Sequence, residues 1–587
     1  MSSIFDNFTS YNRESRHISY VSKEPPGECT QVHELALPER CNFIKGTESC
    51  RSEVYYFDYS YFLYCTIGSE NEEAFTLGIL LLVIVLLFYF IVLGTTVDKF
   101  FCPVLAVIAK TFRISESVAG VTILAFGNGS PDLFTAVSRI DSDTELMFGE
   151  LLGGGAFVVG VIAACIILLN PFEIPEFGVT RDVLFFIYSV AWISACAYDQ
   201  HFKLSDAIVV IVIYVCYLVV VLGEFFWLKR QMLAVESRIS IAGEIPSEVA
   251  LYRELRDETE VIIRSRSQPG SELDITTNRV SEFFEDGFGI RFVPKNHRLF
   301  RDFLEHINPL DRDDWKKSGC LARTFAIMRA PILFFLLLII PVMDYTVERH
   351  GWTKLLNMIH WFTLPLMILT VNGFLPLPLL SLPIWALLLI ISPTLMFLVF
   401  LTSRTDRPPG YHLVYALMVF VGSIQMIYVL AQEIVSLLVT LGLVVKMSKS
   451  MLGLSVLAWG NSIGDLFSNI TLAKQGYGQM AFAACFGGPL FNLCLGLGIT
   501  MILKAAKRMD HIAFSREGAM GENCEYFLVQ LLGAILLALL YTQYQGRQSV
   551  AFIMMMTYCV FLLFCLLGEM KVVHPYGTDH FNEGENP

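Results

Sequence analysis

The stretch "VTILAFGNGSPDLFTA", residues 121–136, is mostly apolar, yet its middle carries Gly127, Asn128, Gly129, Ser130, Pro131 and Asp132. An ionisable side chain in a segment destined for lipid is expensive and is by default the mark of a functional site. The chain writes nearly the same words again at 454–469, "LSVLAWGNSIGDLFSN". A shift of 333 residues aligns Gly120 with Gly453, Gly127-Asn128 with Gly460-Asn461, and Asp132-Leu133-Phe134 with Asp465-Leu466-Phe467. A one-residue slip then aligns "GGGAF" (153–157) with "GGPLF" (487–491). Hydrophobic bias could match Leu with Leu, but it would not match Gly, Asn and Asp in one order.

Working outward, 54% of the 587 residues are hydrophobic and 17% charged, where soluble domains average about a quarter charged. Runs such as 77–97, 206–227, 378–402 and 548–567 approach or exceed the ~20 residues that span a bilayer. The chain reads as an all-α polytopic membrane protein in contact with the lipid bilayer. No basic stripe with interleaved aromatics suggests nucleic acid. No apolar signal segment opens the chain, and Asp6, Glu14 and Glu24 interrupt the basic residues a mitochondrial presequence would want.

Hydropathy places spans near 77–98, 103–137, 147–169, 183–199 and 205–227, and again near 411–446, 450–474, 479–503, 526–542 and 548–568. The expected organisation is an extramembrane segment 1–76, a first five-helix repeat 77–227 with its motif at 117–160, and a soluble loop 228–325. Extra hydrophobic segments 326–402, a second five-helix repeat 411–568 with its motif at 450–498, and a tail 569–587 complete it. Two such halves with weak internal similarity are a hallmark of secondary transporters, in which they are often inverted. Inversion requires an even number of intervening spans, and three candidates lie there. The weakest is 326–343, where Arg329 and Asp344 bracket fourteen residues that include Pro331 and Pro341. It is expected not to cross fully, which leaves two extra spans and twelve in all.

Four of the 14 cysteines, Cys29, Cys41, Cys50 and Cys65, lie before the first span. They suggest two disulfides on an oxidising side, with three possible pairings; a zinc site is the competing reading, without C-x-x-C spacing to support it. The sequon Asn7-Phe8-Thr9 agrees with that side. Lys229 and Arg230 after the fifth span put the long loop on the cytoplasm-like side, and an odd number of spans puts the cysteines opposite. Ser267, in "RSRS", is a candidate phosphorylation site within a loop otherwise read as a solvated surface.

Asp132 is the only charged residue in 117–137, and Asp465 the only one in 451–473. Each lies four residues after an Asn, so Asn128 shares a helix face with Asp132, and Asn461 with Asp465. Gly127, Gly129 and Pro131, and Gly460 and Gly464, weaken the local backbone ladder. Freed carbonyls at membrane depth need a buried partner, and a hard cation wanting six to eight oxygens is one. Asn128, Asp132, Asn461, Ser462 and Asp465 are the candidate cation ligands, and Asn492 in "GGPLFN" joins them through the repeat alignment, opposite Val158. Glu150 and Glu433 read as interfacial or structural carboxylates.

The texts "GNGSPDLF" and "LAWGNSIGDLFSNITLAKQGYGQMAFAACFGGPLFN" resemble the two α-repeats of the cation/calcium exchanger superfamily. Within it they are most similar to the mitochondrial sodium/calcium (sodium/lithium/calcium) exchanger branch, which the N-terminal cysteine spacing and "TRDVLFF" (180–186) also resemble. The resemblance implies the sodium/calcium exchanger fold of inverted repeats. It also implies an antiporter, not an enzyme, that exchanges Na⁺ or Li⁺ for Ca²⁺ by alternating access, with the cations as substrates and no cofactor. Asp132 and Asp465 stand where most members carry Glu, Asn128 and Asn461 at Thr positions, and Gly129, Gly154 and Gly488 where others have hydroxyls. Two carboxylates neutralise one Ca²⁺ or two Na⁺. A Ca²⁺/H⁺ or other cation antiporter of the same fold, an intramembrane aspartyl protease with a shared proton and a cation channel are the alternatives. The inner mitochondrial membrane follows from the branch, whereas the cysteines and sequon suit a plasma membrane or endomembrane.

Overall fold

The computed structural model describes residues 29–47, 50, 54–68, 71–112, 115–138, 144–169, 171–198, 201–241, 296, 298–309, 319–345, 348–379, 382–447, 451–507, 512–513 and 519–569. The sequon, Ser267 and most of the 228–325 loop lie outside these residues. The chain divides into two compact units, Met1–Thr95 with Lys295–Met447, and Thr96–Pro294 with Ser448–Pro587.

Among the described residues, ten helices are long and apolar enough to cross a bilayer. The helices that carry the repeated motif are not among the ten, because polar residues or a break interrupt them. Between the two repeats, helix Cys320–Ile339 holds the apolar stretch Arg329–Ile339 among the described residues, and it stops before Pro341, whose restriction on the preceding residue disfavours helix there. One boundary differs from the hydropathy reading. The first span does not end near residue 98 but continues as Glu72–Phe112, passing Asp98 and Lys99 in a π-helical segment Val97–Phe101. The next helix starts at Glu116, after Ser115. Hydropathy placed the break at the charges, but local backbone geometry absorbs them.

In the first unit, the four N-terminal cysteines form Cys29–Cys50 and Cys41–Cys65, so the zinc alternative falls and one of the three pairings is selected. The bridged segment packs Val32, Ile44, Tyr59, Leu63 and Tyr64 against Leu82 of helix Glu72–Thr96 and Leu437 and Leu443 of helix His412–Val445. Glu433 is buried here and plays the expected structural part. Its carboxylate accepts from the Tyr56 backbone N–H at 2.8 Å and from the Tyr59 hydroxyl at 2.6 Å. A buried lysine, Lys354, solves another local problem. Its ammonium donates to the carbonyls of Phe400 and Ser403 at 2.9 and 2.8 Å, satisfying the C-terminal end of helix Ile384–Thr402, where cations are favoured.

The second unit carries both motif copies, and their likeness extends to the backbone. π-Helical segments occur at Gly120–Leu124 and Leu452–Leu457, and again at Val158–Ile162 and Asn492–Leu497, at positions the repeat alignment makes equivalent. Such bulges are rare and concentrate at functional sites. Two close approaches are equivalent as well. A Cβ at Gly153 would lie 3.0 Å from Leu454 Cα, and one at Gly487 would lie 2.8 Å from Val121 Cα. Each motif helix thus packs, glycine to backbone, on the helix that follows the other motif. In membranes, where burial gives helices little drive to associate, small residues at such crossings permit the contact. The charged pair of "TRDVLFF" is also internal: Arg181 pairs with Asp182 at 2.7 Å and with Glu224, and the Tyr217 hydroxyl donates to Asp182 at 3.0 Å.

Glu433→Ala removes an acceptor shared by the Tyr59 hydroxyl, which keeps Tyr89 as a partner, and the Tyr56 backbone N–H, a loss of about 1 kcal/mol for each hydrogen bond. Hydrogen exchange across 55–67 is expected to accelerate at least tenfold in that variant, and Glu433→Gln to recover part of the protection. Unchanged exchange in Glu433→Ala would remove this carboxylate from its assigned role.

Candidate cation site

The first motif helix runs without interruption as Ala125–Ser138. The expectation that Gly127, Gly129 and Pro131 open its backbone is therefore corrected, and the reason is local. Pro131 has no N–H to offer the Gly127 carbonyl four residues back, and the Ser130 hydroxyl donates to that oxygen instead, at 3.3 Å. The second copy does yield. Helix Ala458–Asn461 ends at Ser462, and Ile463–Lys474 begins from it. Asp465 then sits in the first turn of the new helix, where the helix dipole favours negative charge.

The pairing of side chains differs from the one that helical spacing suggests. Asn128 turns from Asp132 to the other motif: its amide donates to Ser468 Oγ at 2.8 Å and sits beside the Asp465 carboxylate. Asp132, half-buried, accepts from Asn492 Nδ2 at 2.6 Å. Each carboxylate is therefore attended by an amide from the opposite half of the sequence. Ser462 is buried and faces the helix of Gly154, where a Cβ would lie 3.2 Å from Ser462 Oγ. Asn461 brings its side-chain carbonyl into the interior with no donor.

The glycines that depart from the family pattern have distinct roles. A Cβ at Gly129 would collide with Asn492 Oδ1 and lie 2.6 Å from Phe491 Cδ1. This position lacks a hydroxyl because Asn492 occupies its space. Phe491 is held in turn by edge contacts to Phe126 and Tyr214, with ring centres 6.0 and 5.8 Å apart. Gly488 is the opposite case. It is buried, yet a Cβ there would meet nothing within 4 Å. It lies one turn before Asn492, so enclosed open space adjoins the amide.

Three asparagine oxygens, Asn461 Oδ1, Asn469 Oδ1 and Asn492 Oδ1, are buried without a hydrogen-bond partner. An unpaired buried acceptor is costly, and each calls for an explanation, of which a bound ion is one. All six predicted residues belong to this unit; Asn128, Asp132, Asp465 and Asn492 are brought together through direct side-chain neighbours. Ser468 and Asn469 were missed. They follow the motif in "DLFSN", but their counterparts are Thr135 and Ala136, so a search for what both copies share passes over them.

The fold and site define a polytopic helical membrane protein built around two copies of one buried carboxylate–amide motif. The sodium/calcium exchanger protein family model matches residues 82–223 and 415–567. The human mitochondrial sodium/calcium exchanger protein is 31% identical over 95% of this chain and 92% of its own length; the mouse protein of the same name is 32% identical over 94% and 92%. A solved sodium-calcium exchanger chain, 11% identical with a TM-score of 0.39 over 83% of this chain and 97% of that one, is too distant to add to the assignment. The chain belongs to the sodium/calcium exchanger family.

Gly129→Ala forces Asn492 off Asp132, whereas Gly488→Ala enters open space. In detergent-solubilised protein, the first is expected to lose about 1–3 kcal/mol of stability, the usual range for overpacking, and the second to stay within about 0.5 kcal/mol of wild type. Thermal unfolding of the two variants side by side checks this, and equal losses would contradict the packing described.

Proposed function

We propose that this protein is a secondary antiporter that exchanges Na⁺ for Ca²⁺ by alternating access, with Asn128, Asp132, Asn461, Ser462, Asp465 and Asn492 as cation ligands. The observation that carries this reading is the set of buried, partnerless asparagine carbonyl oxygens beside two carboxylates. Carboxylates supply charge, and amide carbonyls and a hydroxyl supply neutral oxygens, which is the donor set a hard cation takes. In the arrangement described above, Asn492 already gives its N–H to Asp132 while its carbonyl oxygen remains free. It can therefore steady the empty carboxylate and serve a bound cation without leaving its place.

Competition follows from charge. The carboxylates balance one Ca²⁺ or two Na⁺, so occupation by one excludes the other. Reorientation of an unloaded site would bury two unpaired carboxylates, which is strongly disfavoured, and this penalty couples the opposing fluxes. The driving force is the sodium gradient, with about 2.3 kcal/mol per net charge per 100 mV where charge is moved. The two halves, 77–227 and 411–568, act as inverted repeats in this scheme, and twelve crossings satisfy its parity.

The human and mouse relatives carry "mitochondrial" in their names, and we place this protein in the inner mitochondrial membrane on that basis. The disulfides then lie on the side opposite the 228–325 loop. Li⁺ belongs with Na⁺ as a candidate counter-ion, since neutral oxygens and single carboxylates accept either.

Purified protein in proteoliposomes is expected to move ⁴⁵Ca²⁺ in response to an imposed Na⁺ gradient, and a proton gradient alone to be ineffective. Asp132→Ala and Asp465→Ala should each reduce the flux at least a hundredfold. Calcium flux indifferent to the Na⁺ gradient would end the exchange reading, and full transport by either alanine variant would end the site assignment.

A further inference from the structure

The donor set around the two carboxylates is uneven, and the difference lies in a residue that has no counterpart in the first motif. Asn469 follows Asp465 by four residues, as Asp465 follows Asn461. Residues four apart stack along one helix face, so helix Ile463–Lys474 presents Asp465 and Asn469 together, and Asn461 ends the helix before it. At the matching place after Asp132 the first motif has Ala136.

Asn469 is 1% exposed. Its amide nitrogen is engaged, with Nδ2 donating to Cys485 Sγ at 3.7 Å, and its carbonyl oxygen has no partner. This is an unusual way to bury an asparagine. The weak thiol contact sets the amide, and the stronger group, the oxygen acceptor, is left to something else. Cys485 lies seven residues before Asn492 and three before Gly488 on helix Gly478–Phe491 and its π-helical continuation. At helical spacing these three share one face, and the middle one borders enclosed open space. Asn469 is thus tied to the same face of the same helix that delivers Asn492 to Asp132.

Charge distinguishes the two carboxylates. Asp132 spends one oxygen on the Asn492 amide. Asp465 has the Asn128 amide beside it and Ser468, whose hydroxyl donates to the Asp465 backbone carbonyl at 3.2 Å, and the partnerless oxygens of Asn461 and Asn469 lie four residues before and after it in the chain. One negative charge with several neutral oxygens suits a small monovalent cation better than a divalent one, which needs both carboxylates for neutrality.

We infer that Asn469 is a specificity-determining ligand on the monovalent-cation side of the exchange, its Oδ1 completing a Na⁺ subsite centred on Asp465. This rests on the exchange reading proposed above. It assigns to Asn469 a task that the Ca²⁺-bound state, which draws on both carboxylates, does not depend on.

The experiment is ⁴⁵Ca²⁺ flux into proteoliposomes holding the full-length wild type, Asn469→Ala, Asn469→Asp and Cys485→Ala, with external Ca²⁺ and the opposing Na⁺ varied separately. Asn469→Ala is expected to raise the KM for Na⁺ relative to that for Ca²⁺ at least fivefold. Asn469→Asp adds a second negative charge four residues from Asp465 and, by the same charge argument, should raise that ratio further. Cys485→Ala removes only the thiol that sets the amide and should shift the ratio in the same direction by a smaller factor, about twofold. Should Asn469→Ala fail to insert, the aspartate and Cys485→Ala variants still decide the matter by these ratios. Equal rises in both KM values, or none, overturn the inference while the exchange reading stands. Absence of Na⁺-driven flux in the wild type overturns the exchange reading and this one with it.

Discussion

The hydrogen bond from Asn492 to Asp132 joins residues 360 positions apart, and the organisation of the second unit depends on the problem it solves. A carboxylate in a medium of low dielectric must be neutralised, paired or bound. The protein supplies an amide from the opposite half of the chain. For that amide to arrive, Gly129 must be bare, Phe491 must be held, and the helix carrying Asn492 must cross the first motif helix closely. The last condition is met by Gly487 against Val121 and, in the equivalent crossing, by Gly153 against Leu454. What looks like a scattering of glycines in apolar text is a set of clearances around one polar contact.

The two copies meet the same demand by different backbone means. In the first, Pro131 deprives a carbonyl of its donor and Ser130 replaces it, so the helix continues unbroken. In the second, Gly464 stands at the proline's place and the helix yields at Ser462, leaving Asp465 at a new helix start. A repaired helix holds its carboxylate by side-chain contact, and a broken one adds the dipole of its second segment. Identical motifs thus arrive at unequal electrostatics, and this inequality is needed if one site is to treat two cations differently.

Much of the fold could be read from the sequence because duplication is a long-range signal. Gly, Asn and Asp recurring at one offset single out the two motif helices from the other spans that hydropathy places. Hydropathy alone misplaced the first boundary, since Asp98 and Lys99 look like an end and a π-helical segment carries the chain past them. The disulfide pairing could not be read at all, because spacing leaves all three connectivities open. Within the second unit, where the six candidate ligands lie, the pairing of side chains differs from the one that spacing suggests. Helical spacing puts Asn128 with Asp132, and only tertiary packing shows that it turns to Ser468 and Asp465. Ser468 and Asn469 escaped for the opposite reason: comparison of repeats finds what the halves share, and these residues are where they differ.

That last point bears on how an exchanger can evolve selectivity from a duplicated gene. Shared residues at the centre give each half a carboxylate and an amide, a symmetric pair with no preference of its own. Selectivity must then come from positions just outside the shared pattern, where one copy can change without disturbing the common crossing geometry. Residue 469 is such a position, one turn beyond the carboxylate and set against a cysteine that makes no strong claim on it. The first copy has alanine there and cannot offer an oxygen. On the proposed reading, a difference of one amide beside a single carboxylate separates a site that one monovalent ion satisfies from a site that a divalent ion must fill by drawing both halves together.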